Sequence, residues 1–247
     1  MTGHPVVFRD VSYWAGGRHI LDGLSFEVPA GETLVLLGRS GSGKTTALKM
    51  VNRLLVPSSG EVLVEGKPTT AWDPIRLRRR IGYVIQDVGL FPHFTIERNV
   101  GLVPRLERWP ADRLASRVRE LLDQVGLDPG EYLKRYPRQL SGGQRQRVGV
   151  ARAIAADPAI LLFDEPFGAV DPVTRLELQN QFLDLRRRLG KTSIFVTHDV
   201  REALRIGSRI GVLHEGRLEA LAPPREFLNA QTPEARAFLA GIEEPVL

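Results

Sequence analysis

Short apolar runs alternate with amphipathic stretches along this chain, and the alternation predicts its elements. Val6 to Phe8, Leu24 to Val28 and Thr33 to Leu37 read as strands, the last ending at Gly38. Pro29-Ala30-Gly31-Glu32 reads as a turn. After Gly38 a Gly/Ser-rich stretch leads into Lys44 to Leu55, where Ala47, Leu48, Val51, Leu54 and Leu55 recur at helical spacing. The order is strand, glycine loop, helix. Strands are predicted again at Glu61 to Glu65 and Ile81 to Ile85, and the pattern then turns helical from residue 95 to residue 156. In that stretch Pro110 suits a first helical turn, Leu114, Val118, Leu121, Leu122 and Val125 form one apolar stripe, and Gly126 can close the helix. Strand character returns at Ile160 to Phe163 and Ile194 to Val196, separated by a helix that starts at Asp171-Pro172 and stops at Gly190. Alternating strands and helices imply an α/β fold with a parallel sheet and ligands at the carboxyl ends of its strands.

Composition narrows the class without choosing a function. With 247 residues, 43% hydrophobic and 26% charged, the chain can bury a large core, which excludes disordered and collagen-like proteins. No apolar run approaches the roughly 20 residues of a membrane-spanning helix. The start, Met1-Thr2-Gly3-His4-Pro5, lacks the basic then apolar pattern of a secretory signal, so the chain is expected to stay in the cytoplasm. The absence of Cys excludes disulfides and thiolate metal sites. A net charge of +5 suits nucleic acid or an anionic membrane, yet the basic residues are mostly dispersed arginines. The densest cluster, Arg76 to Arg80, has no interleaved aromatics and reads as a solvated face.

The chemistry lies in three motifs. Gly38-Arg39-Ser40-Gly41-Ser42-Gly43-Lys44-Thr45, followed by Thr46, fits G-x-x-x-x-G-K-[ST] between a strand and a helix. Its glycines let backbone N–H groups converge on the phosphate oxygens of a nucleotide, the helix start adds a positive dipole end, and Lys44 adds a point charge for the β- and γ-phosphates. Thr45 can give a hydroxyl to Mg²⁺. Ile160-Leu161-Leu162-Phe163-Asp164-Glu165 is an apolar strand ending in two carboxylates: Asp164 is expected to partner Mg²⁺, and Glu165 to orient or deprotonate the attacking water. Third, Leu140-Ser141-Gly142-Gly143-Gln144 opens a helical run through Ala156, so a hydroxyl and glycine N–H groups make a second anion site at a helix start.

With this third motif the chain resembles the ABC ATPase family over nearly its whole length. The resemblance implies a P-loop NTPase cassette: a mainly parallel sheet core with an antiparallel β subdomain (residues 1–90 and 158–222), an inserted helical subdomain (91–157) and a helical tail (223–247). It implies that Ser141, Gly142, Gly143 and Gln144 complete the ATP site of a second ATPase subunit in a head-to-tail dimer. Gln86 resembles the glutamine that contacts Mg²⁺ and water and senses the membrane subunit, and His198 the switch histidine that holds the γ-phosphate. Asp171, in Gly168-Ala169-Val170-Asp171-Pro172, matches the loop that bridges the two sites, and it can also cap a helix. One departure is Ala15, which stands where an aromatic residue usually stacks on adenine; Tyr13 or Trp14 offers a π face in its place.

Within the family, Lys49 to Leu54, Trp72 to Arg76 and Ile85 to Ile96 resemble the importers of osmoprotectants such as glycine betaine, carnitine and choline. Partners implied are transmembrane permease subunits gripped through Gln86 to Thr95, and indirectly a solute-binding protein, at the cytoplasmic face of the inner membrane. Two MgATP would close the dimer and hydrolysis would reopen it. Some members continue into a regulatory pair of domains; with Leu247 as the last residue, that regulation is expected to be absent or to reside elsewhere. An importer of another small solute such as an amino acid is the alternative. A DNA-maintenance ATPase fits less well, since no coiled-coil or zinc insert interrupts the motifs, and a translation factor would carry two cassettes. No nucleic-acid partner is expected.

Overall fold

The structure is a computed structural model that describes residues 5–86, 88–168 and 171–243. Asp87 of the glutamine stretch, Ala169 and Val170 before Asp171, and the two chain ends lie outside the described residues. The elements run β1 (Val6–Ala15), β2 (Arg18–Val28), β3 (Thr33–Leu37), α1 (Lys44–Val51), β4 (Ser59–Val64), β5 (Lys67–Pro68), α2 (Pro74–Arg79) and β6 (Ile81–Val84). Then follow α3 (Ile96–Val100), α4 (Leu102–Leu106), α5 (Ala111–Gln124), α6 (Pro129–Tyr132), α7 (Gly142–Ile154), β7 (Ile160–Asp164) and α8 (Pro172–Leu189). Last come β8 (Thr192–Thr197), α9 (Val200–Ile206), β9 (Arg209–His214), β10 (Arg217–Ala222), α10 (Pro224–Phe227) and α11 (Pro233–Glu243). The chain forms two compact units: one takes the described residues up to Arg78 and from Lys191 onward, the other Arg79–Gly190.

The first unit holds an antiparallel sheet in the order β2-β1-β4-β5 and the strand series β10-β9-β3-β8. In that series β3 pairs in parallel with β8 and β9, while β10 pairs antiparallel with β9. Every position of β3 and β8 is buried, the continuous run expected of parallel strands covered on both faces. Strands β1 and β2 are longer than their alternation suggested, because register shifts between Phe8 and Trp14 break the period of two. Helix α1 ends at Val51 and not at Leu55. Arg53 turns left-handed (φ 53°) and the N–H groups of Leu54 and Leu55 both return to the Lys49 carbonyl, so Leu54 stands half exposed. Strands β9 and β10 had no counterpart in the sequence reading. Their tight turn, Glu215-Gly216 with φ of 45° and 80°, is the kind of two-residue hairpin that such a dipeptide favours.

The second unit pairs β6 and β7 in parallel, Ile81 beside Ile160 through Val84 beside Phe163. Helix α7 lies so close to β6 that a Cβ on Gly82 would sit 2.4 Å from the Ala153 carbonyl oxygen. The stripe of α5 buries Val118, Leu121 and Leu122, and Gly126 (φ 70°) closes that turn; Pro110 caps the helix from outside and does not begin it. Buried Asn99 of α3 orders the loop before it, accepting from Phe91 N–H at 2.8 Å and donating to the carbonyls of Phe91, Phe94 and Thr95. Helix α8 begins at an Asp171 cap and ends at Gly190 (φ 58°), as its sequence predicts.

Candidate functional site

In the first unit the loop Gly38–Thr45 leaves the carboxyl end of β3 and enters α1. Gly43 caps α1 with no side-chain hydrogen bond, and the first turn holds no acid, the form of a helix start that can receive an anion. Lys44 is buried and its Nζ donates to the carbonyls of Gly38 and Arg39, each at 2.7 Å, with Ser42 Oγ at 3.5 Å. The ammonium thus closes the loop on itself. Ser42 N–H donates to the Arg39 carbonyl at 3.2 Å, and Gly216 N–H donates to the Ser42 carbonyl at 3.2 Å. Ser40 and Gly41 form the exposed crest, and Thr45 and Thr46 are half-buried in the first helical turn.

The loop is clamped from two sides. A Cβ on Gly38 would meet the Leu213 carbonyl oxygen of β9 at 2.3 Å, and one on Gly43 would meet Leu21 and the Ile20 carbonyl of β2 at 2.6 and 2.7 Å. Parallel pairing sets Leu37 beside Thr197, so exposed His198, the next residue, leaves β8 at the level where Gly38 leaves β3. The His198 turn is held by polar partners: Thr197 Oγ1 bonds the buried Glu202 carboxylate at 2.6 Å and accepts from Asp199 N–H at 3.0 Å, while Asp199 caps α9. Tyr13 is half-buried on β1, whereas the exposed Trp14 ring already packs on His19 at 3.4 Å between centroids.

In the second unit Asp164, buried, ends β7, and Tyr83 of β6 donates its hydroxyl to Asp164 Oδ2 at 3.2 Å. Burial first, then the Asp164 charge and that bond, push the Tyr83 phenol well above its ordinary range, so it stays a donor. Glu165 has φ 44°, a turn that carries its side chain out of the strand's alternation. Around Gly168, Gln86 Nε2 and Glu165 Oε2 lie 3.7 and 3.8 Å from one common point, the position of an added Cβ. Gln86, Glu165 and Asp164 therefore gather at the carboxyl ends of β6 and β7.

Ser141 caps α7 with a full capping box: its Oγ accepts from Gln144 N–H at 3.2 Å and its own N–H donates to Gln144 Oε1 at 2.8 Å. The hydroxyl keeps its proton to donate. Ser141 and Gly142 are exposed, while a Cβ on buried Gly143 would meet Thr174 at 2.7 Å. That contact sets the start of α7 against the first turn of α8, where Asp171 Oδ1 accepts from Thr174 N–H at 3.0 Å. The Thr174 backbone bond, then its hydroxyl, hold the Asp171 carboxyl below its ordinary range. Sequence reasoning missed Tyr83, and also Tyr132, whose hydroxyl accepts from Gln144 Nε2 at 2.9 Å. Neither tyrosine stands next to the motif it supports.

Mixed parallel and antiparallel sheets around a phosphate loop are those of the P-loop ABC cassette fold. Residues 21–168 match the ABC transporter family, and the chain belongs to that family. It is 55% identical over 221 residues to the osmoprotectant import ATP-binding protein OsmV of Salmonella typhimurium, covering 90% of this chain and 58% of that protein. To the glycine betaine/carnitine/choline transport ATP-binding protein OpuCA of Bacillus subtilis it is 49% identical, covering 87% and 57%. The chain thus spans under two thirds of the length of these relatives. Among solved structures, the dimeric post-hydrolysis state of the ATP-binding cassette MJ0796 bound to ADP and Pi matches with TM-score 0.79 at 33% identity, over 89% of this chain and 99% of that one. Among the described residues no helix is long and apolar enough to cross a membrane.

Proposed function

We propose that this chain binds and hydrolyses ATP to energise an importer of quaternary-amine osmoprotectants, working as a dimer on permease subunits at the cytoplasmic membrane face. The observation that carries the reading is the pair of helix starts suited to phosphate. That of α1 has no side-chain cap, and that of α7 is exposed under a serine whose hydroxyl can still donate. Names of relatives support the solute class, and the dimeric cassette bound to ADP and Pi supports the assembly.

Lys44 neutralises the β- and γ-phosphates once they replace its loop carbonyls as partners, and the loop N–H groups orient them. Thr45 carries a hydroxyl, Asp164 a carboxylate and Gln86 an amide oxygen, each a hard donor of the kind Mg²⁺ takes, and the ion when bound would offset phosphate charge. Tyr83 holds the Asp164 carboxylate in place for that role. Glu165 orients and deprotonates water, His198 holds the γ-phosphate, and Ser141 to Gln144 donate to the nucleotide of the opposite subunit. Asp171 links the two sites and Tyr13 supplies the ring for adenine. Residues 91–157 form the helical subdomain that receives the permease, and the solute-binding protein acts only through that permease.

Glu165→Gln decides between readings. Loss of the base should lower turnover by about 10²–10⁴-fold while nucleotide binding persists, and the variant should dimerise with ATP in light scattering. A monomer with wild-type hydrolysis would overturn the mechanism. Uptake of glycine betaine or choline in proteoliposomes with the partner permease tests the solute class separately.

A further inference from the structure

The phosphate loop is tied to the carboxyl-terminal helix through a carboxylate that none of the motifs contains. Glu234 sits in the first turn of α11 and is buried, yet it reaches two elements at once. Its Oε1 accepts from Arg39 Nε at 2.6 Å, and its Oε2 lies 3.6 Å from Nδ1 of His214, the last residue of β9. Arg39 and His214 are the neighbours of Gly38 and Leu213, whose backbones make the tightest approach in the loop. The carboxylate therefore bridges the two residues flanking that contact. The Arg39 carbonyl in turn accepts from Lys44 Nζ and from Ser42 N–H, so whatever fixes Arg39 fixes two bonds inside the loop. The Arg39 side chain is 68% exposed and would otherwise be free to sample many rotamers beside the phosphate mouth. A buried carboxylate is tolerated here because a guanidinium pairs it and the α11 amino end favours negative charge.

We propose that Glu234 is a positioning residue for nucleotide binding, holding Arg39 and through it the loop frame in which Lys44 meets phosphate. This rests on the ATP-binding reading above. The Arg39 bond is charge-assisted and touches neither Glu165 nor His198, so its removal acts on affinity and leaves those hydrolytic groups unchanged.

The test is a double-mutant cycle with Glu234→Ala, Arg39→Ala and the pair, read by equilibrium binding of a fluorescent ATP analogue, steady-state hydrolysis and thermal unfolding. Each single change should weaken nucleotide binding about three- to tenfold, a loss of about 0.7–1.4 kcal/mol at RT ≈ 0.59 kcal/mol. The pair should be no worse than Glu234→Ala alone, and the loss in Glu234→Ala should appear in the KM for ATP and not in turnover at saturating ATP. Glu234→Gln, whose amide oxygen can still accept from Arg39 Nε, should retain part of the affinity. Unchanged affinity with a lowered melting temperature would make Glu234 a strut and overturn the assignment, as would additive effects or a fall in turnover alone. A wild-type chain that binds no nucleotide would instead sink the ATP reading itself, before any variant is compared.

Discussion

Three glycines of the phosphate loop separate backbone strain from steric overlap, because each carries a different combination of the two. Gly41 has φ 81° with nothing within 4 Å of an added Cβ; Gly38 has no positive φ but a carbonyl oxygen at 2.3 Å; Gly43 has φ 103° and two obstacles under 3 Å. A positive φ costs a residue with a Cβ about 1–2 kcal/mol. Overpacking costs about 1–3 kcal/mol where the obstacle cannot retreat, and the carbonyls of Leu213 and Ile20 belong to backbone beside or within paired strands. Gly41→Ala should therefore lose about 1–2 kcal/mol, Gly38→Ala about 1–3, and Gly43→Ala about 2–5. At about 2–4 °C per kcal/mol for a chain of this size, Gly43→Ala should melt about 4–20 °C lower and Gly41→Ala about 2–8 °C lower. Thermal unfolding followed by circular dichroism, with and without ATP, measures both. ATP should raise the melting temperatures of the wild type and Gly41→Ala alike, and should not rescue Gly43→Ala. If Gly41→Ala proves as damaging as Gly43→Ala, overlap with β2 is not what demands glycine at position 43, and the clamp described here is wrong.

Substitutions at two further positions test how the Asp164 carboxylate and the α7 start are held. Since the folded-state pKa of Tyr83 is raised, its stabilising contribution is intact below the ordinary tyrosine value near 10 and is lost as pH climbs above it, by about 1.4 kcal/mol per unit. Denaturant midpoints between pH 8 and 11 should fall more steeply for wild type than for Tyr83→Phe, and the two should show the same tyrosinate absorbance growth near pH 10; a smaller growth in the variant would show that Tyr83 ionises normally. Ser141→Asp retains an N-cap of equal quality, so stability should stay within about 0.5 kcal/mol, whereas Ser141→Ala should lose about 1 kcal/mol. ATP-driven dimerisation should vanish in Ser141→Asp because a carboxylate faces phosphate, and a variant that still dimerises would detach Ser141 from the nucleotide.

What the sequence made legible was whatever consecutive residues carry. The strand, glycine loop and helix around Lys44 use local chemistry, as do the Asp171 cap and the Ser141 capping box, and each can be read without knowing what lies across the fold. The supports of those motifs are remote: Tyr83 reaches Asp164 across 81 positions and Arg39 reaches Glu234 across 195. Nothing in a local pattern marks a tyrosine or glutamate as such a partner. The overlong helix at Lys44 to Leu55 failed for a related reason, since Leu54 and Leu55 keep the helical spacing while the backbone has already turned at Arg53.

The glycines show why a motif can be recognised for the wrong physical reason. Gly-rich loops are read as places where backbone approaches phosphate. Yet at positions 38 and 43 the backbone is already approached by the protein itself, by Leu213 of β9 and by Ile20 and Leu21 of β2. Only Gly41, open on its Cβ side, is left with no packing demand. Two of the three glycines would thus be required even if no nucleotide ever bound, because the loop sits wedged against β9 and β2. Pattern and chemistry coincide here because the fold that presents the phosphate site and the contacts that keep it rigid select the same residue.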